Sequence, residues 1–199
     1  MLRIALTGGL ATGKSHVRAR MAALGLPTID ADVIARHAVR AGQPAWQEIR
    51  DRFGEGVCTA DGTLDRPALA GIVFADADAR RDLEQILHPR VYATIAAWLD
   101  RLAAANTDAA AVADIPLLYE TGHAGDFDLV VVTECDPETQ VQRIMARNGL
   151  DEAEARRRIA AQLPTAEKAA QADVVISTAG TLDETDTQVD RFVIGLGSR

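Results

Sequence analysis

The stretch Leu2 to His16, LRIALTGGLATGKSH, limits what this chain can fold into more than any other. It opens with Leu2, Ile4, Ala5 and Leu6, a short apolar run that reads as a buried strand. Gly8, Gly9, Leu10, Ala11, Thr12, Gly13, Lys14 and Ser15 then fit G-x-x-x-x-G-K-[ST] without a mismatch. His16 to Leu24 reads as a helix with Val17, Met21 and Leu24 on one face. Strand, glycine loop and helix in that order distinguish a phosphate-binding loop from an ordinary turn. Glycine permits positive φ, so successive backbone N–H groups can turn into one concavity. The helix behind adds its unpaired N–H groups and the positive end of its dipole. Lys14 is expected to reach the β- and γ-phosphates of a nucleoside triphosphate, and the Ser15 hydroxyl to bind Mg²⁺.

The remaining composition narrows the setting. A chain of 199 residues suits one compact domain with inserted lobes. The net charge of −8 argues against a nucleic-acid partner, which needs a basic face. Cys58 and Cys135 stand far apart with no CxxC, as expected of reduced thiols in a cytoplasmic protein. The first strand is expected to begin at Leu2, so no leader is expected, and no apolar run approaches the length of a membrane span.

After the first helix, Thr28-Ile29 make a very short strand ending in Asp30-Ala31-Asp32. Ligands bind at that edge of parallel α/β sheets. One Asp suits a helix N-cap for Val33 to Ala41, and the other is available as a general base. From Gln43 to Asn106 the strand signal disappears. Helices are expected over Pro44–Phe53, Arg66–Phe74 and Asp76–Leu87, then a break at His88-Pro89, then a helix from Arg90 to Ala105. This block reads as an inserted lobe, with Trp46, Phe53, Phe74, Tyr92 and Trp98 as its core.

Ala109 to Ile115 reads as the third strand, leading into Pro116-Leu117-Leu118-Tyr119-Glu120. Asp114 is a charge inside that apolar strand. It is expected either as a hydrogen-bonded structural residue or as a link to the Mg²⁺ shell. Asp128 to Thr133 is a fourth strand, Pro137 to Arg147 a helix, Asp151 to Leu163 another, and Asp173 to Thr178 the last strand. Thr181 is expected to cap a final helix to Gly195. Arg143 and Arg147 lie at i and i+4 and are expected to face one way, as a phosphate-closing lid would need. Arg156, Arg157 and Arg158 read as a solvated helix face.

In order along the chain, LTGGLATGKSHV, TIDADVIARHAV, LHPRV, DIPLLYE, VVVTECDPETQVQRIMARNGLDEAEARRRIAAQ and ADVVIST resemble the dephospho-CoA kinases over nearly the full length. The resemblance implies an α/β, three-layer P-loop NTPase fold with a five-stranded parallel sheet, an inserted helical substrate lobe and a small helical lid. It implies a nucleotide-binding core over residues 1–34, 109–140 and 170–199, a CoA lobe over 35–108 and a lid over 141–169. The implied reaction moves the γ-phosphate of ATP, with Mg²⁺, to the ribose 3′-hydroxyl of dephospho-CoA. On that pattern Asp32, Lys14 and Arg143 are catalytic. Gly8 to His16 and Arg147 contact ATP. Asp32, Arg36, His88, Pro89, Leu117 and Glu120 face the acceptor. Four positions differ from the family's habit: Ala11-Thr12 stand for Gly-Ser, His16 for a Thr at the α-phosphate, and Thr178 for an Asn near adenine.

The nearest alternative is another small-molecule kinase of the same fold, which the DAD, HP and PLLYE set disfavours. A GTP-dependent switch needs Asn-Lys-x-Asp after a strand, and the chain has none. The expected enzyme is cytoplasmic, a monomer or weak homo-oligomer, with no membrane partner.

Overall fold

The computed structural model describes residues 1–105 and 110–197. Its sheet has five parallel strands: β1 (Leu2–Gly8), β2 (Thr28–Asp30), β3 (Ala110–Asp114), β4 (Leu129–Glu134) and β5 (Val174–Ser177). The expected strand start at Ala109, and the expected boundary between residues 108 and 109, lie outside the described residues. The strand order is β2-β3-β1-β4-β5, so the direction of strand addition reverses beside β1. In open parallel sheets ligands bind at that reversal, outside the carboxyl ends of the strands. Register brings Leu6 level with Asp114 and Gly8 level with Thr133, so the glycine loop emerges between the ends of β3 and β4.

The chain divides into an α/β unit, residues 1–30 and 101–197, and a helical unit, residues 31–100. In the α/β unit, Ile4, Leu6, Val112, Val131 and Ile176 of the sheet pack on α1 (Lys14–Ala23) and α9 (Leu182–Leu196) through Val17, Met21 and Val189. β1, β3 and β4 are almost continuously apolar because helices cover both faces of a parallel sheet. Thr181 and Glu184 close a capping box at the start of α9, as the expected cap required. The stretch expected as one helix from Asp151 to Leu163 ends earlier. α6 (Pro137–Asn148) is followed by α7 (Glu152–Ala160) and a short α8 (Thr165–Ala169). Pro164 accounts for the break, since it lacks an N–H and pushes Leu163 out of the helical region.

The helical unit holds α2 (Ala31–Ala38), α3 (Pro44–Phe53), α4 (Arg66–Ala75) and most of α5 (Ala77–Ala104). Val39, Ala45, Ile49, Val57 and Leu69 form its core, with Phe53, Val73 and Leu83 packed against them. Two expectations fail here. α5 does not break at His88-Pro89 but runs through it. Pro89 has no N–H for the Gln85 carbonyl, a loss of about 3 kcal/mol in an isolated helix. Ile86 and Leu87 on one side of Pro89, and Val91, Ile95 and Leu99 on the other, are packed or buried, and this apolar contact carries the helix past the gap. The Arg90 guanidinium adds a hydrogen bond to the Ile86 carbonyl at 2.5 Å. Phe74 is not core either: it is 79% exposed.

Candidate active site

The loop between β1 and α1 is held in shape by close packing. A Cβ on Gly8 would lie 2.7 Å from both Thr12 Oγ1 and the Thr133 carbonyl, so only glycine fits between the two strand ends. Gly13 takes φ 81 immediately before α1. Ala11 takes φ 61, a left-handed conformation unusual for a residue with a side chain. This is the position where a glycine was the family's habit, and alanine there holds the backbone form that glycine adopts freely.

Polar contacts pin the loop from behind. Thr12 Oγ1 donates to the Gly9 carbonyl at 2.8 Å and lies 2.7 Å from Thr133 Oγ1. Thr178 Oγ1 donates to the Thr12 carbonyl at 2.7 Å, and Gln140 Nε2 to the Leu10 carbonyl at 2.7 Å. Arg143 donates to the Thr178 carbonyl at 2.6 Å and the Ala11 carbonyl at 3.4 Å. The Gly9, Leu10, Ala11 and Thr12 carbonyls are all bonded, and the Thr12 N–H turns back on the Gly9 carbonyl at 3.3 Å. Burial raises the Cys135 thiol, opposed by the neighbouring Arg143. Cys58 and Cys135 are both unbridged, as expected.

Lys14, the first residue of α1, places its ammonium 2.5 Å from Asp114 Oδ1. Asp114 ends β3 and is only 2% exposed. Burial pushes its carboxyl above the ordinary value, with Lys14 pulling the other way. Arg18, one turn further along α1, reaches Asp114 Oδ2 at 3.3 Å and Asp30 Oδ2 at 3.0 Å. The register pairs Asp30 with Asp114, so two carboxylates at adjacent strand ends share two cations from one helix face. The structural reading of Asp114 is therefore met. Ser15 is exposed, and among the described residues its hydroxyl has no hydrogen-bond partner.

Other expected site residues are engaged differently. His16 Nε2 lies 2.8 Å from Asp186 of α9, on the network in which Arg20 grips Asp190 through two bonds, so the imidazole is held by α9. Arg143 and Arg147 do not share an environment: Arg143 is half-buried on loop carbonyls, whereas Arg147 is exposed and contacts Asn148 at 3.0 Å. Arg156, Arg157 and Arg158 pair with Glu138, Glu152 and Glu154 on the surface, as a solvated face should. Leu117 lies in the turn after β3, where its carbonyl accepts from Thr121 Oγ1 at 2.8 Å. Glu120 accepts from the Leu163 N–H at 3.0 Å and from Lys168 Nζ at 2.7 Å. The Lys168 side chain is fully buried and also donates to the Pro116 carbonyl at 2.9 Å. A lysine inside a five-residue helix gives no sequence signal of such a role. Thr133, the polar residue near the end of an apolar strand, was the readable signal that was missed.

In the helical unit, Asp32 and Arg36 sit four residues apart on α2, on one face, and both line an apolar groove of about 470 Å³. His88 and Pro89 lie within α5. β2 ends at Asp30 and α2 begins at Ala31, so the extended backbone that would aim Asp30 and Asp32 alike is absent.

A parallel sheet with the order β2-β3-β1-β4-β5 and a glycine loop carrying Lys14 and Ser15 at its reversal define a P-loop kinase. The family model described as dephospho-CoA kinase matches residues 2–184. A dephospho-CoA kinase of Leifsonia xyli is 48% identical over 196 residues, covering 98% of this chain and 99% of the relative. A crystal structure from Thermus thermophilus superposes with a TM-score of 0.84 at 32% identity, covering 98% of this chain and 97% of that one. The dephospho-CoA kinase from Campylobacter jejuni does so with a TM-score of 0.74 at 26% identity, covering 99% and 98%. The chain belongs to the dephospho-CoA kinase family.

Proposed function

We propose that this protein transfers the γ-phosphoryl group of ATP to the ribose 3′-hydroxyl of dephospho-CoA, giving CoA and ADP in the last step of coenzyme A biosynthesis. The observation that carries the reading is a complete phosphate-loop sequence folded between β1 and α1, in a chain that matches this family over residues 2–184. In-line phosphoryl transfer asks the protein mainly to position groups and neutralise charge. The loop N–H groups and Lys14 hold the phosphates. Arg143 braces the loop through Ala11 and Thr178 and is near enough to the loop backbone to serve the transferring phosphate when it shifts. Asp32 orients or deprotonates the acceptor hydroxyl. Asp30, with its carboxylate on Arg18, is the structural member of the pair.

Mg²⁺ fits the exposed Ser15 hydroxyl, a hard oxygen ligand in the first turn of α1, whereas both Asp114 oxygens are taken by Lys14 and Arg18. Among the described residues no cluster of three metal-binding side chains occurs, which suits an ion that takes its remaining ligands from phosphate and water. When bound, Mg²⁺ would supply charge neutralisation at the phosphates. The helical unit is the acceptor lobe and the α6–α8 segment the lid. The enzyme works in the cytoplasm, as a monomer or weak homo-oligomer and without a nucleic-acid partner, in keeping with its net charge of −8. No helix among the described residues is long and apolar enough to cross a membrane.

A coupled assay with ATP, Mg²⁺ and dephospho-CoA tests the reaction, and failure to form CoA would overturn it. Asp32→Asn tests the base. It should keep both substrate affinities and lose about 10²- to 10⁴-fold in kcat, whereas Asp30→Asn should retain most activity. Wild-type turnover for Asp32→Asn with a dead Asp30→Asn would reverse the assignment.

A further inference from the structure

Residues 31–100 carry more acidic than basic side chains, yet three of their eight arginines line one cavity. This cavity, of about 450 Å³, is bordered by Arg36, Arg40 and Arg66, with His37 and Thr63 beside them, and no carboxylate lines it. The three arginines are exposed, and among the described residues none of their side chains has a hydrogen bond or ion pair. Their neighbours differ: Arg50, Arg52 and Arg90 of the same unit each hold a carboxylate. Unpaired guanidinium groups around a concavity repel one another and are stabilised by an anion that takes two or three of them at once.

Arg36 and Arg66 also line the apolar groove that contains Asp32. Along α2, Asp32 and Arg36 are one turn apart, and Arg40 follows four residues later, just beyond the end of the helix at Ala38. This order matches the order of groups on the acceptor, whose ribose carries the reacting hydroxyl at C3′ and a diphosphate at C5′, one sugar ring away. We propose that Arg36, Arg40 and Arg66 form the subsite for the acceptor's diphosphate, and that α2 sets its distance from the hydroxyl held by Asp32. The inference rests on dephospho-CoA being the acceptor and Asp32 the group at its hydroxyl. A diphosphate offers two phosphoryl groups to three guanidinium groups, and bidentate contacts fix its register.

The test compares the intact enzyme with Arg40→Gln and Arg66→Gln, measuring KM for dephospho-CoA, KM for ATP, kcat and thermal midpoint. Loss of a charge-assisted contact should raise KM for dephospho-CoA by about 10- to 100-fold, with kcat changed by only a few-fold and KM for ATP unchanged. Raising salt should raise the wild-type KM for dephospho-CoA more steeply than that of either variant. Arg66→Lys keeps the charge and loses the fork, so it should give an intermediate KM if Arg66→Gln proves unstable. Unchanged KM for dephospho-CoA in stable Arg40→Gln and Arg66→Lys would overturn the subsite. A wild-type enzyme inert toward dephospho-CoA would instead overturn the functional reading beneath it.

Discussion

The Lys14 ammonium and the Asp114 carboxylate lie 2.5 Å apart, one at the start of α1 and the other at the end of β3. Lys14 was expected to face phosphate alone. In the structure it neutralises a carboxylate buried to 2% exposure, so the residue proposed to hold phosphate also belongs to the architecture. Lys14→Ala should abolish most activity and also destabilise the fold by about 1–3 kcal/mol, since it strands a buried charge. Arg18 at 3.3 Å limits that loss. Adding Asp114→Asn should recover at least part of the stability without recovering activity. Denaturant midpoints of the two single variants and the double variant close the cycle, and purely additive effects would show that the pair is not coupled.

The same carboxylate gives a pH signature. Burial holds Asp114 above its ordinary value of 3.8 in the folded protein. Between that value and the raised one the native state binds more protons than the unfolded chain. The Asp114 contribution to stability is therefore fully present below 3.8 and is lost as pH rises through the folded value. Asp114→Asn removes this component. The stability of wild type relative to that variant should fall on going from about pH 4 to pH 7, as followed by urea unfolding at each pH. A constant difference would show that Asp114 does not titrate in that window.

Ala11 offers a test of backbone strain. Its φ of 61 costs an alanine about 1–2 kcal/mol, whereas glycine takes it freely but loses about 0.4–1 kcal/mol through a more flexible unfolded chain. Ala11→Gly should thus leave stability equal or raise it by up to about 1.6 kcal/mol. Ala11→Val, branched at Cβ, should lower it by more than 1 kcal/mol. Thermal midpoints of the two variants moving in the same direction would contradict the left-handed assignment.

Lys168 and Glu120 join the α8 segment to the turn after β3. Lys168→Ala should cost about 3 kcal/mol, near the low end for breaking a buried pair, because Glu120 retains 23% exposure and the Leu163 N–H. Lys168→Met, which keeps the apolar stem, should cost less. Calorimetric midpoints separate the two, and a Lys168→Ala protein as stable as wild type would deny the clasp.

Much of this molecule was legible in its sequence because the signals were local. The glycine loop is written in eight consecutive residues, the strands in short apolar runs, and the cap at Thr181 in a single side chain next to the helix it starts. Even α3, Pro44–Phe53, has the bounds its proline and periodicity predict. Tertiary packing decided the rest. A proline inside α5 is a stop signal locally, and only apolar contacts on both sides of Pro89 override it. His16 and Asp186 lie 170 residues apart, and Lys168 and Glu120 belong to different segments. A polar side chain's sequence neighbours do not state which distant charge will lie beside it after folding. That partnership depends on where the backbone brings two elements together and on the cost of leaving a buried charge alone. It is why Lys14, Ser15 and the loop were predicted from sequence, while the groups that hold them in place appeared only in the folded chain.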